Sequence, residues 1–247
     1  MVVVWCALVG CLLAGCSTYR DVVPGELQIA GYTGDAITPD KDLRLRSPGG
    51  TDLTFHNAKF ESKSFELPPY WGIRGTYFLP KNPRWGFAID YTHAKLYMDE
   101  DQIVNVSGTR NGVPVNGSQP IRNDIDGFEL TNGLNYLTAN VVHRWFPRCQ
   151  RDCSFVGRLQ PYVGLGAGIA IPHVETTING TRVHEYQEVG PTVGGFVGTH
   201  VDLSQAFGAF LEYKVNYGKL DIDVGGGSRL ELEPWTHALN VGLTLKL

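Results

Sequence analysis

Five side chains that could take part in catalysis or ligand binding directly adjoin stretches in which every second residue is apolar. The stretch WGFAIDYTHAKLY is apolar at every second position and then changes to His93 and Lys95. Asn135 in LTNGLN, and His173 and Glu175 in IPHVE, extend apolar faces in the same way. Imidazole with carboxylate can perform acid–base chemistry near neutral pH or ligate a divalent metal. We therefore assign His93, His173 and Glu175 as candidate catalytic or metal-ligating residues, and Lys95 and Asn135 as candidate substrate-binding residues.

The same residues also have a plainer interpretation. A membrane-spanning barrel becomes polar at its rim, where a charged side chain costs only ~0–1 kcal/mol, compared with ~2–4 kcal/mol at the midplane. Basic rim residues also hold lipopolysaccharide phosphates in barrels without activity. No nucleophilic serine or cysteine accompanies the five residues, and the sequence has no phosphate loop, dinucleotide-binding glycine motif or flavin motif.

The elements that must position these residues are β-strands. Eight runs alternate between apolar and small or polar side chains, and none keeps the period of an amphipathic helix. In the last run, for example, Leu239 and Leu243 occupy one face and Asn240 and Thr244 the other. Large apolar residues on one face and polar residues on the other are typical of a barrel whose outside meets lipid. The runs cover 25–34, 68–79, 84–97, 131–146, 158–172, 188–203, 206–218 and 235–247.

The connections between the runs alternate between short and long. The short ones are 80–83, the turn near Ser204 and 147–157; the long ones are 35–67, 98–130, 173–187 and 219–234. This pattern predicts an all-β fold: an eight-stranded antiparallel transmembrane β-barrel with long extracellular loops. We expect it in the bacterial outer membrane, with both termini on the periplasmic side.

Strand geometry predicts the level of the five residues and the content of the barrel. Trp85 and His93 are ~27 Å apart along a strand, or ~20 Å in height at a tilt of ~40°, against an apolar band of ~25 Å. The five residues should therefore lie together at the level of the outer-leaflet head groups, facing lipid. Because an eight-stranded barrel is filled by side chains, the interior charged residues should pair rather than line a pore. These are Arg74, Asp90, Arg144, Glu212 and Lys214.

The ends and the cysteines indicate an exported protein. Residues 1–15 are uncharged and read as a signal peptide, with 16–24 as a periplasmic linker and 25–247 as the barrel. Cys16 ends a lipobox-like stretch and is a candidate first mature, lipidated residue; an ordinary cleavage site is the alternative. Cys149 and Cys153 are expected to form a small disulfide loop, with metal binding as the alternative. A net charge of −4 gives no nucleic-acid footprint.

Several stretches resemble one family, in order from about Gly25 to the C-terminus: SFELPPYWGIRGTYFLP, WGFAIDYTHAKLY, FELTNGLNYLTANVVHRW, PYVGLGAGIAIPHVE and FLEYKVNYG. They are similar to the outer-membrane lipid A oxidases. The resemblance implies an eight-stranded barrel that oxidises the proximal glucosamine of lipid A to 2-aminogluconate, with O2 as co-substrate and H2O2 as product. It implies lipid A or lipopolysaccharide of the outer leaflet and the barrel-assembly machinery as partners. With no organic cofactor motif, a divalent metal is our hypothesis.

Two departures from the family keep other functions open. The loop 98–130 carries RNGVPVNGSQP, which looks like an insertion, and the chain ends in Leu247 rather than an aromatic residue. One alternative is a non-catalytic barrel for membrane stability, adhesion or lipopolysaccharide binding. The other is a lipid A deacylase-type hydrolase, which needs a serine beside a histidine at the outer rim. The nearest serines, Ser107 and Ser118, fall in the loop 98–130 rather than on a predicted strand.

Overall fold

The computed structural model describes residues 25–146, 158–178 and 180–247. The signal peptide, the linker, the lipidation of Cys16 and the Cys149–Cys153 disulfide lie outside the described residues. A 3₁₀ turn covers Ile121–Asn123, and the described strands are β1 (Glu26–Ile37), β2 (Lys41–Ser47), β3 (Thr51–Ala58), β4 (Phe60–Glu61), β5 (Trp71–Leu79), β6 (Asn82–Met98), β7 (Ile103–Arg110), β8 (Val113–Pro120), β9 (Gly127–Arg144), β10 (Gln160–Ala170), β11 (His173–Ile178), β12 (Thr181–Tyr186), β13 (Gly190–Asp202), β14 (Phe207–Gly218), β15 (Leu220–Asp223), β16 (Arg229–Leu232) and β17 (Trp235–Lys246).

Eight of these strands close into an antiparallel barrel, which confirms the predicted fold class. Each strand pairs with the next along the chain, and the last pairs with the first. The ends of the barrel sequence meet, because Leu247 N–H donates to Leu27 O at 2.8 Å. All four long connections leave from the opposite end. The barrel strands are β1, β5, β6, β9, β10, β13, β14 and β17.

The outside of the barrel is a belt of exposed apolar side chains. Leu165 is 71% exposed, Leu243 63% and Ile89 59%, whereas their inward neighbours such as Ala88 and Thr244 are buried. This exposure follows the alternation of each strand and makes the barrel a membrane-spanning one. Among the described residues no helix is long and apolar enough to cross a membrane, a finding that does not concern strands.

The interior is filled by paired charges, as predicted. Arg74 contacts Asp90 at 2.5 Å and Glu212 at 2.6 Å, and Lys214 contacts Asp90 at 2.5 Å. Arg144 pairs with a residue near the start of β1, because its Nη1 lies 2.9 Å from Glu26 Oε1. Buried charges stay ionised only when paired and hydrogen-bonded, so this network fills the lumen rather than lining a channel.

The long loops carry an ordered second sheet that the alternation of the sequence did not predict. Six loop strands pair in the order β15, β16, β2, β3, β7, β8. One face is apolar and buried along every strand except β8, with Leu45, Leu53 and Phe55 at its centre, and it joins the core above the barrel. The other face is polar and exposed, and carries ion pairs such as Arg44–Asp52 at 2.7 Å. We call these strands the extracellular sheet.

Candidate functional site

His93 and Asn135 face each other across neighbouring strands near the top of the apolar belt. They are register partners on β6 and β9, and His93 Nδ1 lies 2.9 Å from Asn135 Oδ1. The amide nitrogen of Asn135 donates to Ile171 O at 3.1 Å, so its oxygen faces the imidazole. An amide oxygen only accepts, and it therefore selects the tautomer of His93 that is protonated at Nδ1.

The remaining ring nitrogen of His93 is left as an acceptor. His93 Nε2 is buried and has no hydrogen-bond partner among the described residues. The ring stacks on Trp71, with centroids 5.9 Å apart. At 5% exposure His93 lies within the protein wall, so the prediction that it faces lipid is wrong. A buried, unpaired imidazole nitrogen of fixed tautomer is a candidate proton acceptor.

A β-bulge beside this pair aims the side chains. Between two neighbouring register pairs, β6 supplies only Lys95 while β9 supplies the three residues 131–133. Gly133 has φ +116°, and a Cβ there would lie 2.5 Å from His93 Nδ1 and 2.2 Å from Asn135 Oδ1. Glycine is therefore required at this position. Bulges re-aim side chains in this way near many active sites.

Lys95 is enclosed by a segment that completes the wall above β5. The segment 62–70, called here the wall segment, runs between β6 and β1, where Ser64 Oγ accepts a hydrogen bond from Ala36 N–H at 2.8 Å. Lys95 Nζ donates to Glu66 O at 3.2 Å, and the residue is 1% exposed. The prediction that Lys95 faces lipid is therefore wrong as well. In the same segment Phe65 and Leu67 are 77% and 89% exposed.

His173 and Glu175 lie together on the outer face of the β11–β12 hairpin, with a third residue. Glu175 Oε1 is 3.4 Å from His173 Nδ1 and 3.4 Å from His184 Nε2. Glu175 and His184 are register partners, and one ligand atom from each of the three residues lies within 4.8 Å of the others. The opposite face of β11 is anchored in the core by Val174 and Ile178, which are buried.

The bulge connects the two groups of residues. Thr131 Oγ1 donates to Glu175 Oε1 at 2.5 Å, and Asn132 Nδ2 lies 3.2 Å from the same oxygen. Above the bulge, outside the membrane-spanning part of β9, burial and the carboxylates of Glu100 and Glu175 raise the pKa of Glu129. Carboxylate and imidazole groups are therefore concentrated on the hairpin and the adjoining end of β9.

The structure thus gathers the five predicted residues into three contacts. His93 bonds Asn135, His173 contacts Glu175, and Lys95 bonds the wall segment. The imidazole that joins His173 and Glu175 is that of His184 rather than His93. A sequence signal for His184 exists in VETTINGTRVHEY, because an Asn-Gly pair between two alternating stretches predicts a hairpin that would pair Glu175 with His184.

A serine–histidine–aspartate row crosses the extracellular sheet. His56 Nε2 lies 2.7 Å from Ser107 Oγ, and His56 Nδ1 lies 3.1 Å from Asp42 Oδ2. Asp42 also accepts a hydrogen bond from Asn57 N–H at 2.9 Å. The expectation that Ser107 and Ser118 lie off any strand is wrong, because they belong to β7 and β8. Ser107, His56 and Asp42 are thus connected in the order of a nucleophile, a general base and an orienting carboxylate.

Comparisons with known proteins concern the fold. No family model matches the chain, and no curated protein matches it. Neisserial surface protein A (NspA) is similar at 12% identity, covering 92% of this chain and 100% of that chain, with a TM-score of 0.43. The outer membrane protease OmpT from Escherichia coli is 9% identical, covering 93% of this chain and 99% of that chain, with a TM-score of 0.47. Ail, the attachment invasion locus protein of Yersinia pestis, solved with the heparin analogue sucrose octasulfate, is 15% identical, covering 91% of this chain and 100% of that chain, with a TM-score of 0.38.

Proposed function

We propose that this barrel is an outer-membrane enzyme that oxidises the proximal glucosamine of lipid A to 2-aminogluconate with O2, releasing H2O2. The observation that carries the proposal is His93, whose Nε2 is buried and unpaired while Asn135 holds Nδ1. A base of this kind near the top of the apolar belt is at the depth of the sugars of outer-leaflet lipid A. The sequence resemblance to lipid A oxidases agrees with this reaction.

The reaction balances without an organic cofactor. The substrate must carry a free hydroxyl at C1. There the C–H and O–H bonds break and the single C–O bond becomes a carbonyl, which gives a lactone. The two electrons and two protons reduce O2 to H2O2, and water then opens the lactone to the acid. We assign the hydroxyl proton to His93 Nε2. Because this nitrogen is buried, contact with the sugar requires the side chains that cover it to shift. A positioned general base accelerates such a reaction by ~10²–10⁴-fold.

Lys95 is assigned to a phosphate of the lipid. Its ammonium donates a hydrogen bond to Glu66 O and is covered by the wall segment. Contact with a phosphate therefore requires this segment to shift. An ammonium is a compact charge with three donors, which suits a phosphate oxygen better than a lone carbonyl. The enclosure of Lys95 is the observation that favours the alternative of a non-catalytic barrel.

Lipid A mass spectrometry tests the oxidase. The protein is expressed in a Gram-negative host that lacks the activity and whose lipid A has a free hydroxyl at C1. Cells are grown in air and without oxygen, beside cells that express the variant His93→Ala. His143→Ala is the matched control, because it removes an imidazole elsewhere on the barrel, one that packs against Trp85 and Trp145. We expect lipid A to gain one oxygen atom only in air, with wild type and the control but not with His93→Ala. Unchanged lipid A from an assembled wild-type barrel would refute the oxidase.

A second candidate function, hydrolysis of an acyl ester, is favoured by the Ser107–His56–Asp42 row. His56 is placed to take the proton of Ser107 Oγ, and Asp42 to hold the imidazole. A fluorophosphonate probe, which reacts with activated serine hydroxyls, tests it on the purified barrel. We expect Ser107 to be labelled and the labelling to be lost in His56→Ala. Ser118→Ala is the control, since Ser118 bonds Asn105 instead. No label at Ser107 would reject the hydrolase.

A further inference from the structure

We infer that His173, Glu175 and His184 form a binding site for a divalent transition metal on the β11–β12 hairpin. The inference rests on ligand geometry alone and does not require the proposed oxidation. Two imidazoles and one carboxylate are a donor set for zinc, iron and their neighbours in the first transition row. Calcium and magnesium take oxygen ligands instead, so this set disfavours them.

The distances agree with one shared ion. Glu175 Oε1 stands 3.4 Å from each imidazole nitrogen. Two ligand atoms that are each ~2.1 Å from a tetrahedral metal lie ~3.4 Å apart. All three ligand atoms lie within 4.8 Å of one another, so only small side-chain rotations are needed to close the set. The competing interpretation is an ordinary pair of histidine–glutamate contacts.

The backbone makes the site rigid on one side and open on the other. The pairing of Glu175 with His184 fixes two ligands across a short hairpin, and Glu175 also pairs with Glu129 on β9. His173 packs edge-to-face against Tyr186, with centroids 4.6 Å apart. His184 is on the exposed side, with 53% of its side chain accessible. Three protein ligands with one open side is the arrangement of metal sites that also bind a substrate or water.

A donor outside the ligand set supports the carboxylate. Thr131 donates to Glu175 Oε1 and belongs to the bulge that also positions His93. Asn132 Nδ2 lies 3.2 Å from Glu175 Oε1 and 3.5 Å from His173 Nδ1, so this amide would turn aside when an ion binds. Outer-layer hydrogen bonds such as that of Thr131 orient metal ligands, and their loss costs ~10–100-fold in metal affinity. The set of two histidines and one carboxylate with open positions is also the one that non-haem iron(II) oxygenases use. In this protein it would lie beside the candidate base His93.

Metal titration of the purified full barrel tests the inference. The protein in detergent is stripped with a chelator and titrated with Zn²⁺ by calorimetry, with the metal content confirmed by mass spectrometry. We expect one Zn²⁺ per chain, with affinity reduced at least tenfold in His184→Ala and in Glu175→Gln, and little response to Ca²⁺. His143→Ala and a Cys149→Ser/Cys153→Ser double variant are controls that should keep the wild-type affinity.

Two outcomes would overturn the metal site. One is wild-type protein that binds no Zn²⁺; the other is binding that is lost with the cysteines and kept in His184→Ala. Circular dichroism of each variant shows whether its barrel is intact, so misfolding does not imitate loss of metal. The result also separates the metal site from the proposed function. Zn²⁺ bound through His184 with unmodified lipid A would retain the site and reject the oxidase.

Discussion

At the scale of single residues, the chemistry of this wall depends on one glycine. Gly133 is the point at which the backbone leaves regular strand geometry, and its missing Cβ makes room for the His93–Asn135 contact. Because Gly133 can adopt φ +116°, Asn135 can approach His93, and this contact fixes the tautomer of the imidazole. A side chain at this position would displace either partner.

Gly133→Ala should separate steric crowding from backbone strain when it is compared with Gly112→Ala. Both glycines have positive φ, but a Cβ at Gly112 meets nothing within 4 Å. We expect Gly112→Ala to cost ~1 kcal/mol of unfolding free energy and Gly133→Ala ~2–4 kcal/mol, because strain and collision add there. Urea unfolding in detergent, followed by circular dichroism, measures both. Equal costs would mean that the close approach to His93 is not a constraint.

The sequence reveals some of these residues and hides others. Parity along a strand places His93 opposite Asn135 once the barrel is assumed, because register follows from alternating faces. Parity does not reveal that the two residues are covered. Lys95 bonds the wall segment, which precedes β5 in the chain, and His93 packs against Trp71 and Gly133. His184 requires a hairpin inside a stretch that reads as a loop.

At the scale of elements, the wall segment covers Lys95 on one side and exposes apolar side chains on the other. It lies above β5, which ends lower in the wall than its neighbour β6. Its side chains Phe65 and Leu67 are exposed on the outside. Exposed side chains of this size and hydrophobicity beside the apolar belt would be costly in water. The segment is therefore expected to meet the outer leaflet.

Spin labels should locate the wall segment at the membrane. With serine at Cys149 and Cys153, a label on Phe65→Cys or Leu67→Cys is expected to be accessible to O2, which concentrates in the bilayer. A label on Val113→Cys is the control, because Val113 is 63% exposed on β8 of the extracellular sheet. It should be accessible to a water-soluble nickel complex instead. Paramagnetic relaxation measures both, and equal profiles at the two places would contradict the membrane contact.

The loop strands escaped prediction because their pairing is non-local. The eight barrel strands are long and alternate clearly, so the sequence defines them one at a time. The strands of the extracellular sheet are short, and β2 pairs with β16 from a distant part of the chain, as the contact of Arg46 with Glu231 illustrates. Their apolar faces are buried only when several loops assemble, which single-stretch patterns do not reveal.

At the scale of the whole molecule, two kinds of core hold one chain together. The extracellular sheet buries apolar side chains such as Leu53 and Phe55, as a water-soluble protein does. The barrel is apolar outside, and its interior combines ion pairs and hydrogen bonds with packed aromatic rings such as Phe196 and Phe210. Tyr32 and Tyr162 complete that network, since they donate to Asp90 at 2.7 Å and to Glu212 at 2.9 Å.

Arg74 is the residue on which this network depends, and Arg74→Met should measure how much. Its guanidinium compensates Asp90 and Glu212, both fully buried. Removing it leaves Glu212 without its cation, while Asp90 keeps Lys214 at 2.5 Å. Losing one partner of a buried pair costs ~3–5 kcal/mol. Arg44→Met is the matched control, because the Arg44–Asp52 pair is exposed and such pairs contribute ~0–1 kcal/mol. Urea midpoints in detergent compare the two variants. If Arg74→Met were as mild as Arg44→Met, Glu212 would have to be hydrated or protonated in the variant, and the ion pairs would not be what holds the interior together.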